Sequence, residues 1–348
     1  MAKEVMKTHD LDFCSRPDNH ASRRLSYNGL DLVFAPYEMR KLCVVNLFSR
    51  VQQFRPIQED EVGRLMEKIC QLSGDSKPVN ISEATTCLSI TIICRVGFGK
   101  RYAEAGAKRS RFHGLLSESQ ALLSSFCFSD YFPWVGWIDS RGFTIVLKTL
   151  SNNLISSIKN SSMNISIQTD SCYYRYGRMV NVFLAGTETS AAAMTWAMSF
   201  LMKHSNCLKT SQDEVRNLVG RKGFLNENDI QSLTYLKAVI KETFRLQPIA
   251  PLLVARETLG KCSIGTALPE RFIGSSIDYK GLHFELIPFG AGRRICPGMR
   301  MGVATVELAL ANLLYKFDWE MPAGMTEEDI DFDALGHCTQ ENSSYPCG

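Results

Sequence analysis

The stretch Phe289-Gly290-Ala291-Gly292-Arg293-Arg294-Ile295-Cys296-Pro297-Gly298 decides how this chain reads. Small residues precede a cysteine that stands just before an apolar helical run. Glycine lets the backbone turn tightly and brings N–H groups close to a sulfur. Pro297 suits the first position of a helix, where its missing N–H costs nothing. The start of a helix favours a negative thiolate at Cys296. A thiolate held this way is a nucleophile or a metal ligand. Read alone, the stretch is equally a buried cysteine in a glycine turn.

Working outward, the chain has 348 residues, 45% hydrophobic and 22% charged, the balance of a globular protein. That excludes a disordered tail, a collagen repeat and a minimal disulfide scaffold. A net charge of +3 is too small to point to nucleic acid. Twelve cysteines are scattered from Cys14 to Cys347 with no C-x-x-C pair, so neither a zinc site nor a disulfide framework is suggested. A reducing compartment follows. The opening Met1-Ala2-Lys3-Glu4-Val5-Met6-Lys7 has no apolar core, so it reads as neither signal peptide nor membrane anchor. The sequons at Asn80, Asn160, Asn164 and Asn342 read as chance matches.

Apolar spacing predicts helices over 59–72, 82–95 (with Ser82 as N-cap), 113–128, 179–204, 211–219, 229–233, 235–247 and 297–316. The stretch up to about Pro36 reads as loop and short helix. Residues 160–178 and 336–348 read as irregular, and 248–288 as turns and short strands. The expected class is mainly α with a small β portion in a single domain, 1–348.

The cysteine stretch resembles the heme-binding loop of cytochromes P450, F-x-x-G-x-R-x-C-x-G, at Phe289, Gly292, Arg294, Cys296 and Gly298. The resemblance implies an incomplete cytochrome P450 fold and heme b (iron protoporphyrin IX) as cofactor. Cys296 would be the axial iron ligand, donating electron density that favours O–O cleavage. Arg294 would pair with a heme propionate. Ala185-Gly186-Thr187-Glu188-Thr189-Ser190 resembles the family's oxygen-activation motif. By that resemblance Ala185 and Gly186 let the long helix pass close to the macrocycle. Glu188 and Thr189 deliver protons. A mid-helix Thr bonds the carbonyl four residues back, here Ala185, and is expected to distort the ladder locally. A central glutamate also opposes a lipid-facing span. Glu242-Thr243-Phe244-Arg245 with Pro269-Glu270-Arg271-Phe272 resembles the structural cluster of Glu242, Arg245 and Arg271. Arg256 and Arg40 match two further propionate-facing arginines.

Wording such as Ser22-Arg23-Arg24-Leu25-Ser26-Tyr27, Phe54-Arg55-Pro56 and Gly274-Ser275-Ser276-Ile277-Asp278 is similar to plant microsomal members of the 71-type clan, from about Asp12 to Asp333. The resemblance implies a monooxygenase acting on a small apolar substrate. NADPH would supply electrons through NADPH-cytochrome P450 reductase, docking near Arg293 and Arg300. Substrate would contact residues 16–32, the helix near Ala185, and 249–254. It further implies placement at the endoplasmic reticulum membrane, facing the cytoplasm.

The family pattern is also broken in places. The anchor and first strands have no counterpart, and the tryptophan expected ahead of Arg40 is missing. Residues 150–178 are short and polar, only Glu257–Leu268 separate Arg256 from Pro269, and 336–348 is unlike the closing hairpin. The expectation is a truncated or mis-spliced gene, or a degraded one, so a remnant that binds heme without turnover is a rival reading. A heme-thiolate isomerase or dehydratase is another, opposed by the Glu188–Thr189 pair. A zinc or disulfide protein is the most distant.

Overall fold

The computed structural model describes residues 2–17, 32–35, 51–74, 77–99, 169–220, 222–251, 278–284 and 286–321, with scattered single positions that include Tyr37, Arg40, Arg101, Leu253, Val254, Ile330, Ser344 and Tyr345. The architecture is mainly helical. A short π-helical turn, Glu4–Thr8, opens the chain. Helix α1 (Arg55–Gly74) follows, then strand β1 (Val79–Asn80) and helix α2 (Ile81–Phe98). Next come α3 (Thr169–Lys203), α4 (Ser205–Val219), α5 (Glu227–Ile230), α6 (Thr234–Leu246) and α7 (Met299–Lys316). Ser344–Tyr345 forms β2, antiparallel to β1 with Val79 opposite Tyr345.

Two helices each have a long stretch buried on nearly every side, the mark of a central element. In α3 the buried residues include Ala191, Ala193, Met194, Trp196, Ala197, Met198, Leu201 and Met202. In α7 Val303, Thr305, Val306 and 308–314 are all buried. Helix α2 is likewise buried on every side over 88–94, whereas α1 presents one stripe, Val62, Leu65, Met66 and Ile69. One continuous core results. Buried polar side chains tie elements that lie far apart in sequence. Asn312 on α7 accepts from Leu225 N (3.0 Å) and donates to Leu225 O (3.1 Å). Glu214 on α4 accepts from Tyr235 N and Leu236 N at the start of α6, meeting donors that no helical carbonyl can reach.

Several expectations change. The cap of α2 is Asn80, which accepts from Glu83 N at 3.0 Å, and not Ser82. The better cap lay two residues earlier, where β1 leaves the backbone extended. Helix α7 starts at Met299, with Gly298 as cap, so Pro297 belongs to the loop and not to the first turn. Residues 169–178, expected to be irregular, are the first turns of α3. Their polar side chains are mediocre helix formers, but adding residues to an anchored helix is far easier than starting one. Likewise, 344–345 lies in a strand inside the expected irregular tail. Between 248 and 288 the described residues form turns and no strand. Most of 113–128 lies outside the described residues.

Candidate heme-thiolate site

The turn bearing Cys296 is built by two positive-φ glycines, Gly290 (φ 70°) and Gly292 (φ 65°). Gly292 also meets the N-terminal segment. A Cβ there would overlap the Met6 carbonyl oxygen. Cys296 N donates to Phe289 O at 2.9 Å and closes the loop. Phe289 is fixed edge-to-face against Phe244 (centroids 5.4 Å) and Tyr279 (5.8 Å). Burial raises the pKa of the Cys296 thiol. The N–H of Gly298, the charge of Arg40 and the N–H of Met299 oppose that rise. A positive centre at the sulfur would tip the balance to thiolate.

Two guanidinium groups converge on this turn. Arg40 is 3% exposed and donates to Ile295 O at 2.5 Å. Arg294 is 4% exposed and donates to Cys14 O (2.6 Å) and Val33 O (3.4 Å). Two buried cations beside one cysteine suit a ligand with a metal centre and two carboxylates. The donor set therefore fits heme. Arg293, the adjacent residue, points outward. It pairs with Asp10 (3.1 Å), donates to Tyr37 OH (3.2 Å) and stacks over the Tyr37 ring.

The oxygen-activation turn lies close by. A Cβ on Gly302 of α7 would sit 3.5 Å from Ser190 Oγ, so the helix after Cys296 crosses α3 beside Thr189. Thr189 Oγ1 donates to Ala185 O at 2.5 Å. The helix stays α-helical through this turn, without the expected local distortion. Ala185 and Thr189, four residues apart, share the open side. Gly186 faces elsewhere. Its absent Cβ would lie 2.9 Å from Ile93 Cδ1 on α2, so this glycine lets two helices approach each other. Glu188 is buried at 6% exposure.

Glu242 and Arg245 form a bidentate pair (2.8 and 2.5 Å) on an exposed face of α6. The pairing holds the Glu242 carboxyl below its ordinary range. Arg256 and Arg271 lie outside the described residues. Of the stretches expected to contact substrate, 16–32 and 249–254 are joined where Arg16 donates to Val254 O at 2.5 Å. Cys14, Val33, Tyr37 and Asp10 had no motif to announce them, since each acts through position or a backbone carbonyl. Gln58, discussed below, carried one signal: it is a polar residue on the apolar stripe of α1. Among the described residues no three His, Cys, Asp or Glu could share a metal, and the described cysteines are free.

A helical core and a half-buried cysteine turn flanked by two buried arginines suit a heme-thiolate protein. The profile of the family described as "Cytochrome P450" matches residues 1–171, 177–267 and 268–345. A "6,7,8-trihydroxycoumarin synthase" from Pastinaca sativa is 40% identical over 394 positions, covering 95% of this chain and 78% of that protein. "Cytochrome P450 71A1" from Persea americana is 38% identical, covering 97% and 80%. In fold, the chain is similar to a zebrafish cytochrome P450 solved with progesterone (TM-score 0.75, 17% identity, 99% and 90% covered). The chain belongs to the cytochrome P450 family of heme-dependent monooxygenases, with an incomplete form of the fold. An alignment of 394 positions on a chain of 348 residues leaves at least 46 positions of the first relative opposite internal gaps.

Proposed function

We propose that this chain is a heme-thiolate monooxygenase that inserts one atom of O2 into a small apolar substrate. The other atom leaves as water, using two electrons and two protons. The observation that carries this is the convergence of Cys296, Arg40 and Arg294 on one turn, with the helix that follows it crossing α3 at Ser190. Cys296 Sγ would hold the heme iron, and Arg40 and Arg294 would hold its propionates. Bound heme supplies O2 activation, which thiolate ligation favours.

The remaining work falls to the chain's own side chains. Ala185, with only a methyl group, leaves room on the open side of α3. By the family resemblance Glu188, buried next to Thr189 in the chain, would pass protons on to it. The Thr189 hydroxyl is occupied by Ala185 O at rest and must turn about χ1 to donate elsewhere. Arg16 links the two segments suggested to touch substrate. Relatives named for a trihydroxycoumarin and for 5-OH-xanthotoxin support hydroxylation of a small ring compound.

Electrons would come from NADPH through NADPH-cytochrome P450 reductase. Docking would fall on the face around Arg293, which pairs with Asp10, and Arg300. We place the protein at the endoplasmic reticulum membrane, as the family resemblance implies. Among the described residues no helix is long and apolar enough to cross a membrane. The internal gaps favour a second reading, in which the chain binds heme without turnover.

The test is to load the purified chain with heme, reduce it and add CO. A strongly red-shifted Soret band in the wild type, lost in Cys296→Ala, is the expected result. No such band, or one that persists in Cys296→Ala, would refute thiolate ligation. Substrate turnover with NADPH and reductase then separates the enzyme from the non-catalytic reading.

A further inference from the structure

The first turns of α7, which follow Cys296, are held from two sides. On one side Gly302 lies against Ser190 of α3. On the other, Gln58 of α1 reaches in. It is 3% exposed, and its Nε2 donates to Thr305 Oγ1 at 2.7 Å and to Met301 O at 3.2 Å. Thr305 donates to the same Met301 O at 2.9 Å. Thr305 belongs to α7 itself, so its bond moves with the helix and cannot locate it. The Gln58 bond comes from another helix and can.

A buried amide is costly unless bonded, and an apolar residue of similar length would fill this place on the stripe at less risk. The amide therefore calls for an explanation beyond packing. We propose that Gln58 is a positioning residue for the cysteine turn: by holding Met301 O from α1 it fixes the pose of the first turn of α7, and so the seating of Gly298, which lies against Cys296 Sγ, and of the backbone N–H groups beside that sulfur. The inference rests on the heme-thiolate reading above. Hydrogen bonds to a metal-bound thiolate withdraw electron density and tune the metal. If their aim is lost, the sulfur donates more strongly, the oxidised metal is favoured, and the midpoint potential falls.

The experiment uses the full heme-loaded chain. Gln58→Met keeps length and removes the donor. Met301 O retains Thr305 and its helical N–H as partners, so the fold should survive. The expected result is a midpoint potential shifted to more negative values and a smaller fraction of the reduced CO form at the red-shifted position. The unfolding midpoint should stay near wild type. Gln58→His, which keeps an N–H donor, should restore both readouts. Thr305→Val, which removes one of the two Gln58 bonds and leaves the one to Met301 O, should shift both readouts less than Gln58→Met does. If Gln58→Met does not fold, Gln58→Asn, too short to reach, serves in its place. An unmoved potential and spectrum, no recovery in Gln58→His, or an equal shift in Thr305→Val would overturn the proposal. A wild type without the red-shifted band would overturn it together with the heme-thiolate reading. A wild type with the band and unmoved variants would overturn it alone.

Discussion

A single missing methyl group at Gly186 sets how closely α3 approaches α2. The Cβ of an alanine there would stand 2.9 Å from Ile93 Cδ1 and 3.2 Å from Cγ1, inside normal contact. Gly186→Ala is therefore expected to destabilise the protein by about 1–3 kcal/mol, the usual cost of overpacking, measured by chemical unfolding. Ile93→Val removes the nearer methyl and should recover part of the loss. If the glycine served only a cofactor face, Ile93→Val would recover nothing. Cys296 differs from Gly186 in how far it could be read from sequence. Its neighbours Phe289 to Gly298 form one local turn, so five spaced residues suffice to find it. The partner of Gly186 lies 93 positions away on another helix, and no local pattern points there.

Helix α7 shows how an element carries costs that its apolar pattern hides. Glu307 lies on it, partly buried between neighbours that are almost wholly apolar. Burial raises its pKa, and Lys237 only partly offsets this. An acid whose folded pKa lies above its unfolded one is a liability at neutral pH, because the folded state must hold a charge it disfavours. That penalty fades as pH falls and the carboxyl protonates. Glu307→Gln should therefore raise the thermal midpoint at pH 7 by roughly 2–4 °C, with the gain shrinking towards pH 4. A gain unchanged between those pH values would rule out charge burial as the cause. The boundaries of elements were the least legible feature. Helix α3 extends ten residues ahead of its apolar stripe, because hydrogen bonding propagates a helix that packing has already anchored. Asn80 displaces Ser82 as the cap of α2 because only the extended backbone left by β1 lets a side chain fold back on Glu83 N.

Across the molecule, charge is distributed in pairs rather than as one field. Asp60 is held below its ordinary range by Arg95, and Glu242 by Arg245. Both carboxyls titrate lower when folded than the usual value near 4. As pH falls, the unfolded state takes up protons first and the folded state loses its advantage. Stability should be full above about pH 5 and decline from there towards pH 3, followed by urea midpoints across that range. Arg95→Met should flatten the decline in part, since Asp60 then keeps only Arg64 to lower its titration. The internal gaps belong to this scale too. The family match breaks after 171 and after 267, where the sequence is short against the family pattern, yet the two central helices still close one core.

By itself the sequence determined the helical class, the cysteine turn and the family. Each of these rests on residues close enough in the chain for spacing to carry the information. Only the tertiary structure decided what gathers around the cysteine. It brought the Arg40 and Arg294 guanidiniums to one turn, set Met6 against Gly292, turned Gly186 towards Ile93, and ran Gln58 from α1 to Met301. Those contacts join residues that local spacing does not relate. Their energy comes from the burial that folds the whole chain, so no short segment could have announced them.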